Sequence, residues 1–275
     1  MESFELYIFS FGAAAFDLCS LVARIVVIIE FILGAFLVLN LLHRAAKWIT
    51  AAFLAFFSAF LFWRLIAGDT ESCHCMGDLI DMNPAQSLLK NVVLVVLLVI
   101  GWKTQGRAFS RQNLIALMIA VATSVAVFLV SPPDFYYRNS SESHDLSSEA
   151  FRPVADSLGL SDGRRIICFY SATCDHCRHC ASKMAGIIRR HDIPVDSVSV
   201  LFMQTHVAQD SVVTAFYNDY GEGLALPYLD LHPFDFIPLT NGSMPLVTLF
   251  KDGILVKEYD YLSIDEKELD SFFND

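Results

Sequence analysis

Basic residues are scarce. Nineteen Lys and Arg stand against thirty Asp and Glu, a formal net charge of −11. A surface of that sign excludes nucleic acid as a partner, because phosphates need a basic face. Basic residues are also missing where a cleavable signal peptide needs them. The chain opens Met1-Glu2-Ser3-Phe4-Glu5, so insertion is expected to rest on longer apolar runs within the chain. Charge of either sign is thin before about Val130 and ordinary after it. The whole sequence is 55% hydrophobic with mean hydropathy +0.48, above the roughly 45–50% apolar content of soluble domains. The excess sits in the first half, which predicts a membrane domain over residues 1–130 and a soluble one over 151–275.

Four apolar runs lie at about 21–42, 49–67, 84–102 and 114–130. Each is about 17–22 residues, close to the roughly 20 that span ~30 Å of hydrocarbon as a helix. Asn83 suits a cap and Pro84 the first position of the third helix, where no backbone N–H is needed. Residues 1–20, broken by Glu5, Gly12 and Asp17, read as an interfacial or packed lead-in. His43, Arg44 and Lys47 separate runs one and two; Lys103, Arg107 and Arg111 separate runs three and four. The loop between runs two and three holds Asp69, Glu71, Asp78 and Asp81 and no Lys or Arg. The positive-inside rule therefore turns the two basic loops to the cytoplasm. The acidic loop, the N-terminus and everything beyond 130 are expected outside a bacterial inner membrane, where disulfides persist.

Two charges fall inside the first run. Arg24 reads as snorkelling to the outer interface or reaching back to Asp17. Glu30, six residues further on another helix face, is an intramembrane acid with either a functional or a structural role. Residues 131–150, rich in Pro, Ser and charge, read as a linker. Phe135-Tyr136-Tyr137 suit an interfacial anchor at its start.

The soluble half alternates strand and helix patterns: a buried strand Arg165–Tyr170, a helix Asp175–Arg190, a strand Ser197–Phe202 and a helix Val207–Tyr217. A hairpin Leu246–Lys251/Ile254–Asp260 turns at Asp252-Gly253, and a closing helix spans Ile264–Phe273. The first strand leads into Cys174-Asp175-His176-Cys177 at a helix start. There the helix dipole and free N–H groups favour a thiolate at the first cysteine. The second cysteine, one turn on, can close a disulfide that cycles by exchange. A static disulfide or half of a zinc site uses the same spacing. Cys180 reads as a third thiol or a buried filler, and Cys168 and Cys19 as core residues.

With Met244-Pro245 immediately before the strand at Leu246, residues 151–275 resemble the thioredoxin-like family. That resemblance implies Cys174 as nucleophile, Cys177 as resolving thiol and Pro245 as a cis residue beside them. Thr173 stands where that family often has tryptophan, which separates this site from ordinary thioredoxin in its substrates. His176 is similar to the histidine of strongly oxidising relatives; as an imidazolium it favours the thiolate, and Asp175 opposes it by charge.

The acidic loop reads Cys73-His74-Cys75-Met76-Gly77-Asp78. It precedes Asn83-Pro84 and the pair Lys90-Asn91, and Glu30-Phe31-Ile32-Leu33-Gly34 lies upstream. Over residues 18–105 this resembles the MauE family of the DoxX-like superfamily, with His74 for glycine, Met76 for phenylalanine, and residues 1–20 standing in for that family's first helix. The resemblance implies a membrane protein working with a thioredoxin-like partner to form disulfides in exported proteins, here on one chain. Cys73 and Cys75 then take electrons from Cys174 and Cys177, a C-x-C disulfide being strained and oxidising. A membrane quinone is the acceptor suggested by analogy with four-helix disulfide-generating enzymes. A static loop disulfide, or a Cu(I) site of Cys73, His74, Cys75 and Met76 in a copper-handling protein, also fits the loop. The expected architecture is an all-α four-helix transmembrane bundle, a linker, and an α/β thioredoxin-like fold. The expected activity is thiol–disulfide exchange with exported client proteins, with oxidation the favoured direction.

Overall fold

The computed structural model describes residues 2–12, 14–67, 82–103, 111–138, 151–159, 162–205, 209–221, 224 and 226–274. The Cys73–Cys75 loop lies outside them. By contacts the chain divides into Met1–Ile8 with Leu18–Pro132, and Phe9–Asp17 with Pro133–Asp275.

The first unit is helical. A short helix α1 (Glu2–Phe9) precedes α2 (Phe16–Val38), α3 (His43–Ile66), α4 (Pro84–Ile100) and α5 (Gln112–Val130). The last four are long and apolar enough to cross a membrane, with mean hydropathy between 1.8 and 2.6. Large apolar side chains such as Val95, Leu97 and Leu117 are exposed on them, as helices bathed in hydrocarbon require. The α4 cap is the expected one. Asn83 Oδ1 accepts from the Gln86 N–H at 2.9 Å and Gln86 Oε1 from the Asn83 N–H at 3.0 Å, a reciprocal box ahead of Pro84. Helices α3 and α4 pack together through Asn91 Nδ2 to Ser58 Oγ (3.2 Å), Lys47 Nζ to the Trp102 carbonyl (3.2 Å) and the crossed rings of Trp48 and Trp102.

Helix ends depart from the hydropathy runs. Helix α2 stops at Val38, not 42, because Asn40 and Leu42 take left-handed φ of 55° and 44° in a tight turn; both lie beside leucines that prolong the apolar run. Helix α3 begins at His43, six residues before 49, since its first turns carry charges that a hydropathy window rejects but a helix tolerates. Within the segment read as an interfacial or packed lead-in, residues 2–9 form a helix, and this corrects the reading of Arg24. Arg24 is 1% exposed and neither snorkels nor meets Asp17. Its Nη1 donates to Glu5 Oε1 (2.8 Å), Ser20 Oγ (2.6 Å) and the Ser20 carbonyl (2.7 Å). Nε and Nη2 donate to the carbonyls of Ser131 and Pro132 at 2.7 Å each. Every face of the guanidinium is used, as a buried cation demands. Arg64, also buried, donates to the Tyr7 hydroxyl and lies over its ring.

The second unit is built on a five-stranded sheet of β1 (Arg164–Tyr170), β2 (Val198–Met203), β3 (Tyr228–Leu231), β4 (Leu246–Lys251) and β5 (Ile254–Asp260). The order is β3-β2-β1-β4-β5, with β1, β2 and β3 parallel and β4 and β5 antiparallel to their neighbours. Helices α6 (Arg152–Ser157), α7 (Asp175–Arg190), α8 (Gln209–Tyr220), α9 (Pro233–Thr240) and α10 (Glu266–Asn274) complete it. A central β1 flanked by a parallel β2 and an antiparallel β4–β5 hairpin is the thioredoxin-like arrangement. Strand β1 is buried from Ile166 to Tyr170, so both faces are covered and no alternation appears in its sequence. Phe151, Ile167, Phe169, Leu201, Phe236 and Phe250 form the core on one side. The β4–β5 turn is made at Asp252 (φ 50°) and Gly253 (φ 78°), the two positive angles that a two-residue hairpin needs.

Strand β3 and helix α9 escape the sequence reading. The strand has four residues, and α9 contains Pro233 at its start and Pro238 within, so YLDLHPFDFIPLT carries loop signals throughout. The domain limits also shift. Residues 133–138 and 9–17 pack with the soluble unit, not with a membrane domain ending at 130. Phe9 and Phe16 are buried with crossed rings 5.3 Å apart. The Phe16 N–H donates to Glu266 Oε2 at 2.7 Å, Arg190 Nη1 to the Gly12 carbonyl at 3.1 Å, and Arg138 Nη2 to both Asp17 oxygens.

Arg24→Met is expected to destabilise the full chain in detergent by about 3–5 kcal/mol, because it strands the Glu5 carboxylate. Pairing it with Glu5→Gln restores part of the loss, as read from thermal midpoints. A Cβ at Gly186 would lie 2.2 Å from Cε1 of Phe9. Gly186→Ala is therefore expected to cost about 1–3 kcal/mol, with Phe9→Ala in the same chain relieving the clash.

Candidate functional site

The site stands where β1 gives way to α7. Ser171, Ala172 and Thr173 turn the chain, the Cys174 N–H donating to the Ser171 carbonyl at 3.1 Å. Cys174 is then the N-cap of α7 in an extended conformation (φ −93°, ψ 121°). Its sulfur stands at the positive end of a 16-residue helix, where free N–H groups favour an anion. Cys174 is partly exposed while Cys177, one turn on, is completely buried. The two are unbridged thiols, and Cys177 Sγ accepts from the Ser171 N–H at 3.3 Å. Burial pushes the Cys177 thiol far up, outweighing that hydrogen bond. One thiol is thus presented and its partner is held protonated behind it, the division needed for an attacking and a resolving sulfur.

The residues between the cysteines have partners of their own. The exposed Asp175 carboxylate accepts from Arg178 Nη1 at 2.8 Å, and Arg178 also lies over the Tyr220 ring. This pairing partly offsets the charge expected to oppose His176. The His176 ring stacks on Tyr261 with centroids 4.9 Å apart and planes 27° from parallel. Met244-Pro245 is a cis peptide leading into β4, the neighbour of β1. Beside it lies a cavity of about 380 Å³ lined by Met244, Pro245, Tyr137, Asp260, Tyr261 and Ser263.

Cys180 and Cys168 lie deeper, both fully buried. The Tyr170 hydroxyl donates to Cys180 Sγ at 3.5 Å. Burial pushes Cys180 up to about 12 and Cys168 higher still, so both are protonated core thiols. Lys183, one turn below Cys180, is 3% exposed. Its Nζ donates to Asp134 Oδ2 (2.8 Å) and the Tyr261 carbonyl (3.2 Å) and sits 4.1 Å above the Phe16 ring. Tyr261 and this Lys183–Asp134 pair went unread in the sequence. A charge at the fourth step of the 174/177/180 series, on a buried helix face, was the available signal for Lys183. Nothing distinguishes Tyr261 from other aromatics.

Cys73, His74, Cys75 and Met76 lie outside the described residues. Glu30 and Lys90 are described on α2 and α4.

A partly exposed thiol at a helix start, with a buried one a turn further on, suits one chemistry: exchange of a disulfide for two thiols. On a chain with four membrane-length helices, the class so defined is the membrane-bound thiol–disulfide oxidoreductases. Residues 1–104 match the family model described as methylamine utilisation protein MauE, so the chain joins a MauE-type membrane domain to a thioredoxin-like one. The chain is 23% identical to protein TlpB of Flavobacterium psychrophilum over 86% of its own length and 77% of that protein's. Two solved structures also match. One is a secreted Mycobacterium tuberculosis disulfide oxidoreductase homologous to E. coli DsbE, the other the thioredoxin domain of a Bacteroides vulgatus thiol–disulfide oxidoreductase. Each is 14% identical, covers 42% of this chain and 83% of its own, and has a TM-score of 0.32.

Brief iodoacetamide treatment of the folded, reduced protein is expected to label Cys174 and spare Cys177, Cys180 and Cys168. Raising the pH from 7 to 10 should leave Cys177 unlabelled, because burial holds its proton through that range; peptide mass spectrometry reads both.

Proposed function

We propose that this protein oxidises thiol pairs of exported clients, with Cys174 as the attacked sulfur and Cys177 as the resolving one. A client thiolate attacks Cys174 of the disulfide form, giving a client–Cys174 mixed disulfide and a Cys177 thiolate that takes up a proton. The client's second thiolate then displaces Cys174, leaving the client oxidised and the pair as two thiols. Two electrons and two protons have moved from client to site. The observation that carries this reading is the exposure difference between Cys174 and Cys177 at the start of α7.

To turn over, the reduced pair must lose two electrons. Cys73 and Cys75 are the proposed acceptor, taking them by exchange with Cys174. The distribution of Lys and Arg supports an extracytoplasmic address for both pairs in the bacterial inner membrane. A membrane quinone is the proposed final sink. Glu30 is exposed and Lys90 half-buried on their helices, within the bilayer span. Lys90 offers a donor to a quinone carbonyl and Glu30 a carboxylate for its protons. Bound there, a quinone would accept the two electrons and two protons from the C-x-C pair.

The Cys177→Ser chain, which can form the mixed disulfide but not resolve it, should accumulate Cys174-linked adducts in cells. Client proteins are expected among them, and the 73–75 loop too when one of its cysteines is also replaced, as seen on non-reducing gels with mass spectrometry. An adduct-free Cys177→Ser protein rules the relay out.

A further inference from the structure

We infer that Tyr261 is a positioning residue for His176 and so sets the reduction potential of the Cys174–Cys177 pair; the inference rests on the thiol–disulfide reading above.

Tyr261 follows the last strand, and three observations fix its place. Its ring stacks on the His176 imidazole at 4.9 Å. Its carbonyl is held at 3.2 Å by Lys183, a buried cation that is itself pinned to Asp134 at 2.8 Å. The same residue lines the cavity beside cis-Pro245. The tyrosine is therefore tied at its backbone to the inward face of α7 and laid with its ring against the outward face of that helix's first turn. The ring gives the His176 imidazole a fixed aromatic face to rest against.

The consequence is electrostatic. A cation over an aromatic face is attracted by the ring's quadrupole. An imidazolium fixed two residues from Cys174 favours the thiolate and with it the reduced pair. At equilibrium with glutathione, disulfide plus two GSH gives dithiol plus GSSG, so anything that favours the thiolate makes the pair a stronger oxidant. Removing the ring lowers that equilibrium constant; removing only the hydroxyl leaves it alone.

The test uses the full chain in nanodiscs equilibrated with glutathione buffers at pH 7. Tyr261→Leu is expected to lower the constant about threefold, about 15 mV at 29.6 mV per tenfold, while Tyr261→Phe matches the unsubstituted protein. On a His176→Gln background Tyr261→Leu should shift nothing further. The imidazole protons of His176 should show an upfield ring-current shift in selectively labelled protein, a readout that needs no variant. A Tyr261→Leu shift that persists without His176 overturns the inference, as does a His176 signal free of ring current. If the unsubstituted pair equilibrates but Tyr261→Leu leaves the constant unchanged, the inference fails and the exchange reading stands. If the pair never equilibrates, both fall.

Discussion

The organisation of the soluble unit follows from how one helix begins. Helix α7 must start at the end of a strand buried on both faces, so its N-cap residue is partly exposed and the residue three further on is buried. That single geometric step makes two chemically identical side chains unlike. Cys174 stands at the positive helix end, which favours an anion. Cys177 lies in the core, where an anion is disfavoured. The flanking strands hold this step in place. Strand β1 is bonded to β2 and β4 along its length, and the Thr248 hydroxyl adds a bond to the Ile167 carbonyl at 3.0 Å. The cis-proline loop is delivered by β4 in the same register.

Below the thiols, α7 continues as a column of spaced partners. Cys180 meets Tyr170, Lys183 meets Asp134 and the Tyr261 carbonyl, and Gly186 receives the Phe9 ring. A buried ion pair of this sort adds little net stability, because desolvation offsets attraction. Its effect is to fix which groups face one another. Lys183 joins the segment before the soluble domain to the loop after β5, and it does so from the helix that carries the reactive sulfur.

Legibility in the sequence tracked the range of the interaction. Local signals were readable: the Asn83 cap, the Asp252-Gly253 turn, the α7 span and the unbroken apolar β1. Each is decided within a few residues. Long-range pairings were not. Arg24 read as snorkelling or as reaching a neighbour seven residues away, yet its carboxylate partner is Glu5, nineteen residues away on another helix, and Nε and Nη2 go to carbonyls more than a hundred residues on. Asp17 goes instead to Arg138. Strand β3 was missed because a four-residue edge strand followed by His-Pro carries turn chemistry of its own. The placement of Cys174 and Cys177 at the start of α7 was readable because their spacing is local; Tyr261, whose place depends on α7, was not.

The packing of Phe9 and Phe16 against α7 and α10 bears on the order in which this protein can be made. These aromatics leave the ribosome long before the glycine that accommodates Phe9 and the carboxylate that receives the Phe16 N–H, which stand at 186 and 266. Domains generally fold as units during synthesis, N-terminal parts first. Here the soluble unit stays incomplete until Glu266 has been made, and these two aromatics must wait unburied for surfaces encoded far downstream of them.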